Sequence, residues 1–166
     1  MSWFVRNLRE MKWWDRGPRG FVTDLIGDDD AQVGVNLFVL APGEPMAMYH
    51  WEADQEDFLV MSGEALLIVE GEERPLRAWD LVHCPPETKH TIVGAGAGPS
   101  IVVAVGTREH DGTPGWGGYT VDEVALRHEA GVEQETTVPD EAYAPIRARR
   151  GTRVPTRYHD GWLQDA

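Results

Sequence analysis

Four side chains in this sequence have the types and spacing to hold a metal ion and to move protons beside it. They are His50, Glu52 and Glu56, within His50-Trp51-Glu52-Ala53-Asp54-Gln55-Glu56, and His90, at the end of Pro85-Pro86-Glu87-Thr88-Lys89-His90. In an extended strand alternate residues share a face, so Met48, His50 and Glu52 are expected to point one way, and Glu56, Phe58 and Val60 to share a wall of the next strand. A carboxylate turned into a barrel is costly unless it is paired or bound to a cation, and two such groups also repel. A cation at their meeting point removes both costs.

The elements that must position these residues are short. From residue 20 to 106, apolar runs alternate with Gly, Pro, Asp and Asn, the pattern of an all-β sandwich or barrel. The runs are Phe21 to Ile26, Gln32 to Leu40, Met46 to Trp51, Phe58 to Met61, Ala65 to Val69, Arg74 to Leu76, Leu81 to Cys84, Thr91 to Val93 and Ile101 to Val105. Gly27 to Asp30 reads as a turn between the first two. After a loop at Gly106 to Gly118, Thr120-Val121-Asp122-Glu123 reads as a capping box, with Tyr119 and Val124 as its staple. It opens an amphipathic helix of roughly three turns that Gly131 closes. Residues 132 to 166 are expected to be extended or partly disordered, apart from a single turn at Pro139 to Tyr143. Trp3, Phe4, Trp13 and Trp14 give the first fourteen residues enough apolar area to cover a barrel opening or a subunit interface, and the segment is expected to clip onto a sheet edge.

A chain of 166 residues, 42% of them apolar, supports one domain over 1–166. Its barrel core spans about 20–106, with an aromatic segment at 1–19 and the helix and tail at 107–166. The 28 acidic against 15 basic side chains give a formal charge of −13, which disfavours nucleic acid and anionic membrane as partners. Arg147, Arg149, Arg150, Arg153 and Arg157 crowd into an acid-free stretch and read as a tail lying on its own acidic body. The single cysteine, Cys84, excludes an internal disulfide and reads as plain core. Met1 to Glu10 lacks an apolar signal region, and no window reaches the ~18 apolar residues of a span, so a soluble, cytoplasmic protein is expected.

Over roughly Pro42 to Val105 the sequence resembles the cupins. His50 stands at the first histidine of their first motif, Glu52 at the second, Glu56 at the glutamate and Gly63 at the closing glycine. The stretch Trp79-Asp80 to His90 looks like the second motif, with His90 as its ligand. Trp79 and Glu87 stand where that motif has glycines, and Gly94 where asparagine is common. The resemblance implies a double-stranded β-helix (cupin or jelly-roll barrel) of two antiparallel sheets around a divalent first-row metal bound by three histidines and a glutamate. Here Glu52 replaces one imidazole, giving a harder, more anionic site that suits Fe, Mn, Ni or Zn. If Glu52 does not coordinate, then His50, Glu56 and His90 make a two-histidine, one-carboxylate set and Glu52 becomes a catalytic general base.

Other residues read as structural. His83 has the parity of an outward group, His110 and His159 belong to loop and tail, and His128 to a satisfied surface. Tyr49 and Trp51 are packing residues, while Met46, Met48 and Phe58 are candidates for the pocket lining. Two functions fit: a metal-dependent enzyme, dioxygenase-like or isomerase-like, acting on a small molecule, or a non-catalytic module that holds a metal or small ligand. Open sheet edges and the aromatic N-terminus lead to the expectation of a homodimer.

Overall fold

In a computed structural model, described over residues 3–27, 31–146 and 153–162, two antiparallel sheets face each other. The strands are β1 (Trp13–Asp15), β2 (Phe21–Ile26), β3 (Val33–Leu40), β4 (His50–Glu52), β5 (Glu56–Ser62), β6 (Glu64–Val69), β7 (Glu72–Arg77), β8 (Leu81–Cys84), β9 (His90–Ala95), β10 (Ser100–Thr107), β11 (Gly117–Tyr119) and β12 (Val154–Thr156). One sheet runs β12-β1-β2-β3-β10-β5-β8 and the other β11-β4-β9-β6-β7. This is the expected double-stranded β-helix. The inward residues of both sheets, Phe38, Leu40, Phe58, Val60, Leu67, Ile92 and Val102 among them, form one buried cluster. Burying such side chains supplies the main driving force for closure, about 1.5–3 kcal/mol each.

The flanking segments add strands and cover the outside. β1 pairs with β2 on one side and β12 on the other, and Trp13, fully buried, packs 4.8 Å from Trp162. The N-terminal segment therefore does clip onto a sheet edge, while Trp3 stays exposed. The tail is more ordered than its composition suggested: Val154–Thr156 is a strand, and Tyr158 and Trp162 join Trp13, Leu37 and Ile101 on the outer face. Apolar partners from the other terminus, invisible to local periodicity, order it. Arg147, Arg149, Arg150 and Asp28 to Asp30 lie outside the described residues. Arg153 reaches Asp24 at 3.0 Å and covers the Trp14 ring, as a tail lying on its own body would.

Several local expectations need correction. The helix α1 is only Glu123–Arg127, and its cap is Asp122, whose side chain accepts from the Ala125 amide, not Thr120. It ends early because Glu129 turns left-handed (φ 54°) and Ala130 N returns to Ala125 O. Tyr119 and Val124 fall in different clusters and make no staple. The turn at Pro139 is present as α2 (Pro139–Ala142). β4 is short because the chain leaves regular strand geometry before His50; Met48 therefore does not share the face of His50 but packs with Tyr119, Val132 and Ala142.

Trp79 (φ 77°) and Glu87 (φ 68°) adopt the left-handed backbone that glycine would take with least strain. The turns are retained despite the substitutions because each is tied down. Trp79 N donates to Val60 O at 2.7 Å, and Glu87 N to Glu52 O at 2.7 Å. Gly94, inside β9, is required by close approach: an added Cβ would lie 2.2 Å from Ala41 O. Among the described residues no helix is long and apolar enough to cross a membrane.

Candidate metal centre

His50 and His90 sit opposite each other on β4 and β9, and Glu56 begins β5 in the facing sheet. Three strands thus deliver three side chains to one point. The His90 Nε2 lies 3.1 Å from Glu56 Oε2, and the His50 Nε2 lies 3.7 Å from the same oxygen. Donors bound at ~2.1 Å to one ion stand roughly 3–3.5 Å apart, so the set has the span of a metal site. Ligand atoms of all three residues lie within 4.8 Å of one another.

Both imidazoles are oriented by their other nitrogen. The Nδ1 of His50 meets Met48 O at 2.8 Å and that of His90 meets Thr88 O at 2.9 Å. A carbonyl only accepts, so Nδ1 carries a proton in each ring, and whenever the ring is neutral its Nε2 lone pair faces the centre. His90 Nε2 and Glu56 Oε2 approach to 3.1 Å, yet with Nδ1 holding the proton of a neutral ring both buried atoms are left without a hydrogen-bond partner. Buried polar atoms are seldom orphaned unless something else fills their valence. Two histidines, one carboxylate and two orphaned atoms fit a divalent cation.

Glu52 stands apart from this group. Its Oε1 is 3.4 Å from His50 Nε2, but it is not among the three residues whose donor atoms converge. Its side chain is the most exposed of the four and lines a cavity of about 170 Å³ that opens beside Glu56. Another cavity, of about 610 Å³, is lined by residues of α1 and α2 and by Met48, and its lining holds no imidazole. The cavity of about 170 Å³ beside Glu56 is where chemistry can occur. Met46 belongs to the closed barrel core and Met48 to the other cavity, so neither lines the pocket as expected, whereas Phe58, also a core residue, packs 5.2 Å from His90 at the ligand group.

Electrostatics bind the ligand set together even without an ion. Burial pushes the Glu56 carboxyl up, but contact with His90 and the charge of His50 outweigh it and hold the group below its usual range. Burial pulls His90 down, yet the Cys84 thiol and Glu56 carboxylate beside it raise it to about 10. Burial, followed by Tyr143 and the charge of Glu52, keeps the Tyr119 phenol neutral. Phe58 at 5.2 Å from His90, and Tyr119 at 5.8 Å and Trp116 at 6.4 Å from His50, wall the site with rings.

Cys84 is buried in the core, as expected, and also lies beside the centre: it pairs with Glu56 across β5 and β8 and touches His90. Its inward parity with Val82 was the available signal. His83 faces outward to Asp57 at 2.7 Å, as its parity required, and His128 meets Glu73 at 2.9 Å on the surface. Tyr49 is buried against α1. His110, set aside as a loop residue, donates from its backbone N and its Nδ1 to the buried Asp54, both at 2.9 Å. That pair pins the loop over the cavity, and only long-range contact could reveal it. The cavity residues Asn36, Arg108, Asp111 and Trp116 were likewise missed.

The family model for the Cupin domain matches residues 36–106. Among similar solved structures is a protein of Acidithiobacillus ferrooxidans ATCC 23270 described as a candidate sugar phosphate isomerase. It is 25% identical over 55% of this chain and 62% of its own, with a TM-score of 0.50, so the match spans under two thirds of that protein. A Cupin 2 conserved barrel domain protein from Salinispora arenicola CNS-205 is 23% identical over 64% of this chain and 90% of its own (TM-score 0.53). A polyketide cyclase from Streptomyces resistomycificus is 15% identical over 65% and 81% (TM-score 0.57). The last two likenesses concern the fold. No curated protein matches the sequence.

Proposed function

The chain carries a cupin domain over residues 36–106, and from that premise we propose that it is a metal-dependent enzyme of isomerase type, in which Glu52 moves a proton on a small oxygen-bearing molecule. His50, Glu56 and His90 hold a divalent first-row ion. One observation carries the reading: with both Nδ1 atoms committed to carbonyls, two Nε2 atoms and an orphaned Glu56 oxygen face the same point. When bound, such an ion supplies Lewis acidity that makes a carbon next to a substrate oxygen easier to deprotonate.

The other work belongs to the chain. Glu52 lies on the open side, at the cavity rather than in the ligand group, and its carbonyl is held by the Glu87 amide. A carboxylate so placed can take a proton from one substrate carbon and return it to the next while the hydroxyl proton passes to the neighbouring carbonyl oxygen, and the two transfers together complete an isomerisation. The aromatic walls exclude water that would otherwise compete for that proton. The likeness to a candidate sugar phosphate isomerase supports isomerisation over oxygenation as the type of reaction.

Metal analysis of the purified protein is the first test. Hydroxy-aldehydes and hydroxy-ketones incubated with metal-loaded protein in D2O, followed by NMR, should take up deuterium at the carbon beside the carbonyl. Glu52→Gln should keep its metal and lose exchange by at least about 100-fold, the usual worth of a positioned base. His50→Ala should lose both. A loaded protein that exchanges nothing, or a Glu52→Gln variant that loses its ion as His50→Ala does, overturns the assignment. Oxygen consumption without exchange would favour the dioxygenase-like alternative.

A further inference from the structure

The cavity beside the ligand group restricts what can enter it, and the restriction rests on reading His50, Glu56 and His90 as a metal centre. We propose that this cavity binds a neutral polyhydroxylated molecule of about four to six carbons and discriminates against its phosphorylated and carboxylated counterparts.

Space comes first. At the mouth of the barrel, β3 and β10 place Gly34 opposite Gly106 and Asn36 opposite Ala104, where the next inward pair, Phe38 and Val102, fills the interior. These small side chains leave the cavity of about 170 Å³. At about 30 Å³ per water it displaces five or six waters, which limits the ligand to a small one.

Charge comes second. Four carboxylates line the space, Glu52, Asp54, Glu56 and Asp111, against one guanidinium, Arg108. Asp54 is committed to His110, and Glu56 faces the metal. Even with a divalent ion added, the negative charges outnumber the positive ones. A phosphate or carboxylate would enter against that field, while hydroxyls can donate to Glu52 and Asp111 and accept from Arg108 at no such cost.

Arg108 is positioned for this. Gly34 has ordinary strand backbone, so its lack of a side chain answers no conformational need, and glycine weakens a strand. The reason lies above it: an added Cβ would stand 2.6 Å from Arg108 Nε and 2.8 Å from Nη2. The guanidinium turns its Nε–Nη2 edge into the recess that glycine leaves. The Trp116 indole, which also lines the cavity, is anchored by its Nε1 donating to Thr137 O, which leaves a fixed ring for the C–H face of a sugar-like ligand. A planar donor, acidic acceptors and a fixed aromatic ring form a polyol site.

The test uses full-length, metal-loaded protein with its metal content measured. Neutral aldoses, ketoses and alditols of four to six carbons are titrated beside their monophosphates and aldonic acids by calorimetry. At least one neutral compound should bind, with its monophosphate at least tenfold weaker in low salt and the gap closing as salt is raised. Gly34→Ala, which keeps the charge but displaces the guanidinium, should weaken the neutral ligand about tenfold with metal content unchanged. Asp111→Asn should shift the neutral-to-phosphate ratio toward phosphate at least threefold, which a merely structural residue would not do. A monophosphate or acid that binds tighter than every neutral compound overturns the proposal. So does a fully loaded protein that binds none of them, a result that leaves the metal centre standing. Absence of metal uptake defeats the metal centre instead.

Discussion

Loading the centre with metal should expel a proton, and the amount follows from the surroundings of His90. In the metal-free protein His90 is raised to about 10 by Cys84 and Glu56 against the pull of burial, while Glu56 is held low, so the pair stands as imidazolium and carboxylate near neutrality. A metal needs the imidazole neutral. Each ion bound should therefore release about one proton from His90 at any pH below its raised value. Affinity then rises about tenfold per pH unit. Between about pH 6.5 and 8.0 that is about 30-fold, or about 2 kcal/mol. Calorimetric titration of Mn(II) or Ni(II) in buffers of different ionisation enthalpy reads the proton count directly. Zero protons released, with affinity flat across this range, would refute the reasoning.

The same pair has the opposite effect on the metal-free fold. A group raised above its ordinary 6.5 stabilises fully below that pH and loses its contribution as pH climbs through about 10. Glu56, lowered from 4.5, contributes above that value and loses its share as pH falls through its depressed one. The pair therefore supports the metal-free protein best between about 4.5 and 6.5. Melting curves with and without metal should diverge as pH rises.

Three further outcomes test the scaffold. Trp79→Gly should raise stability by up to about 1 kcal/mol in denaturant melts, because it removes a left-handed tryptophan that is 72% exposed and so has little packing to lose. Gly94→Ala should destabilise by about 1–3 kcal/mol, since the new methyl meets the Ala41 backbone, which cannot rotate away. Trp13→Ala should cost about 3–5 kcal/mol and expose the tail to limited proteolysis, because Trp13 is the buried ring on which Tyr158 and Trp162 pack. A tail that stays protected in that variant would show another anchor.

The barrel strands and the metal-binding side chains were legible in the sequence because both rest on local rules. Alternation assigns faces within a strand, and His50, Glu56 and His90 are costly inside a barrel unless they meet around a cation. Parity correctly sent His83 outward, and it would also have sent Cys84 inward to the centre. Parity failed at Met48, because the chain leaves strand geometry one step before His50 and a period of two no longer applies. Periodicity predicts too long a helix for a similar reason: the pattern continues through His128, but a left-handed Glu129 ends the turn.

Tertiary structure alone decided the rest. The order of the tail depends on Trp13, more than a hundred residues away in the chain. The separation of Glu52 from the three converging ligands depends on how β4 lies against β9 and β5, which no spacing along one strand encodes. The cavity that sets substrate charge is assembled from β3, β10 and the pinned loop after it, where a glycine at 34 makes sense only once Arg108 lies across it. Sequence determines which groups are available to a site; the packing of the sheets determines which become ligands, which becomes the base, and what can approach them.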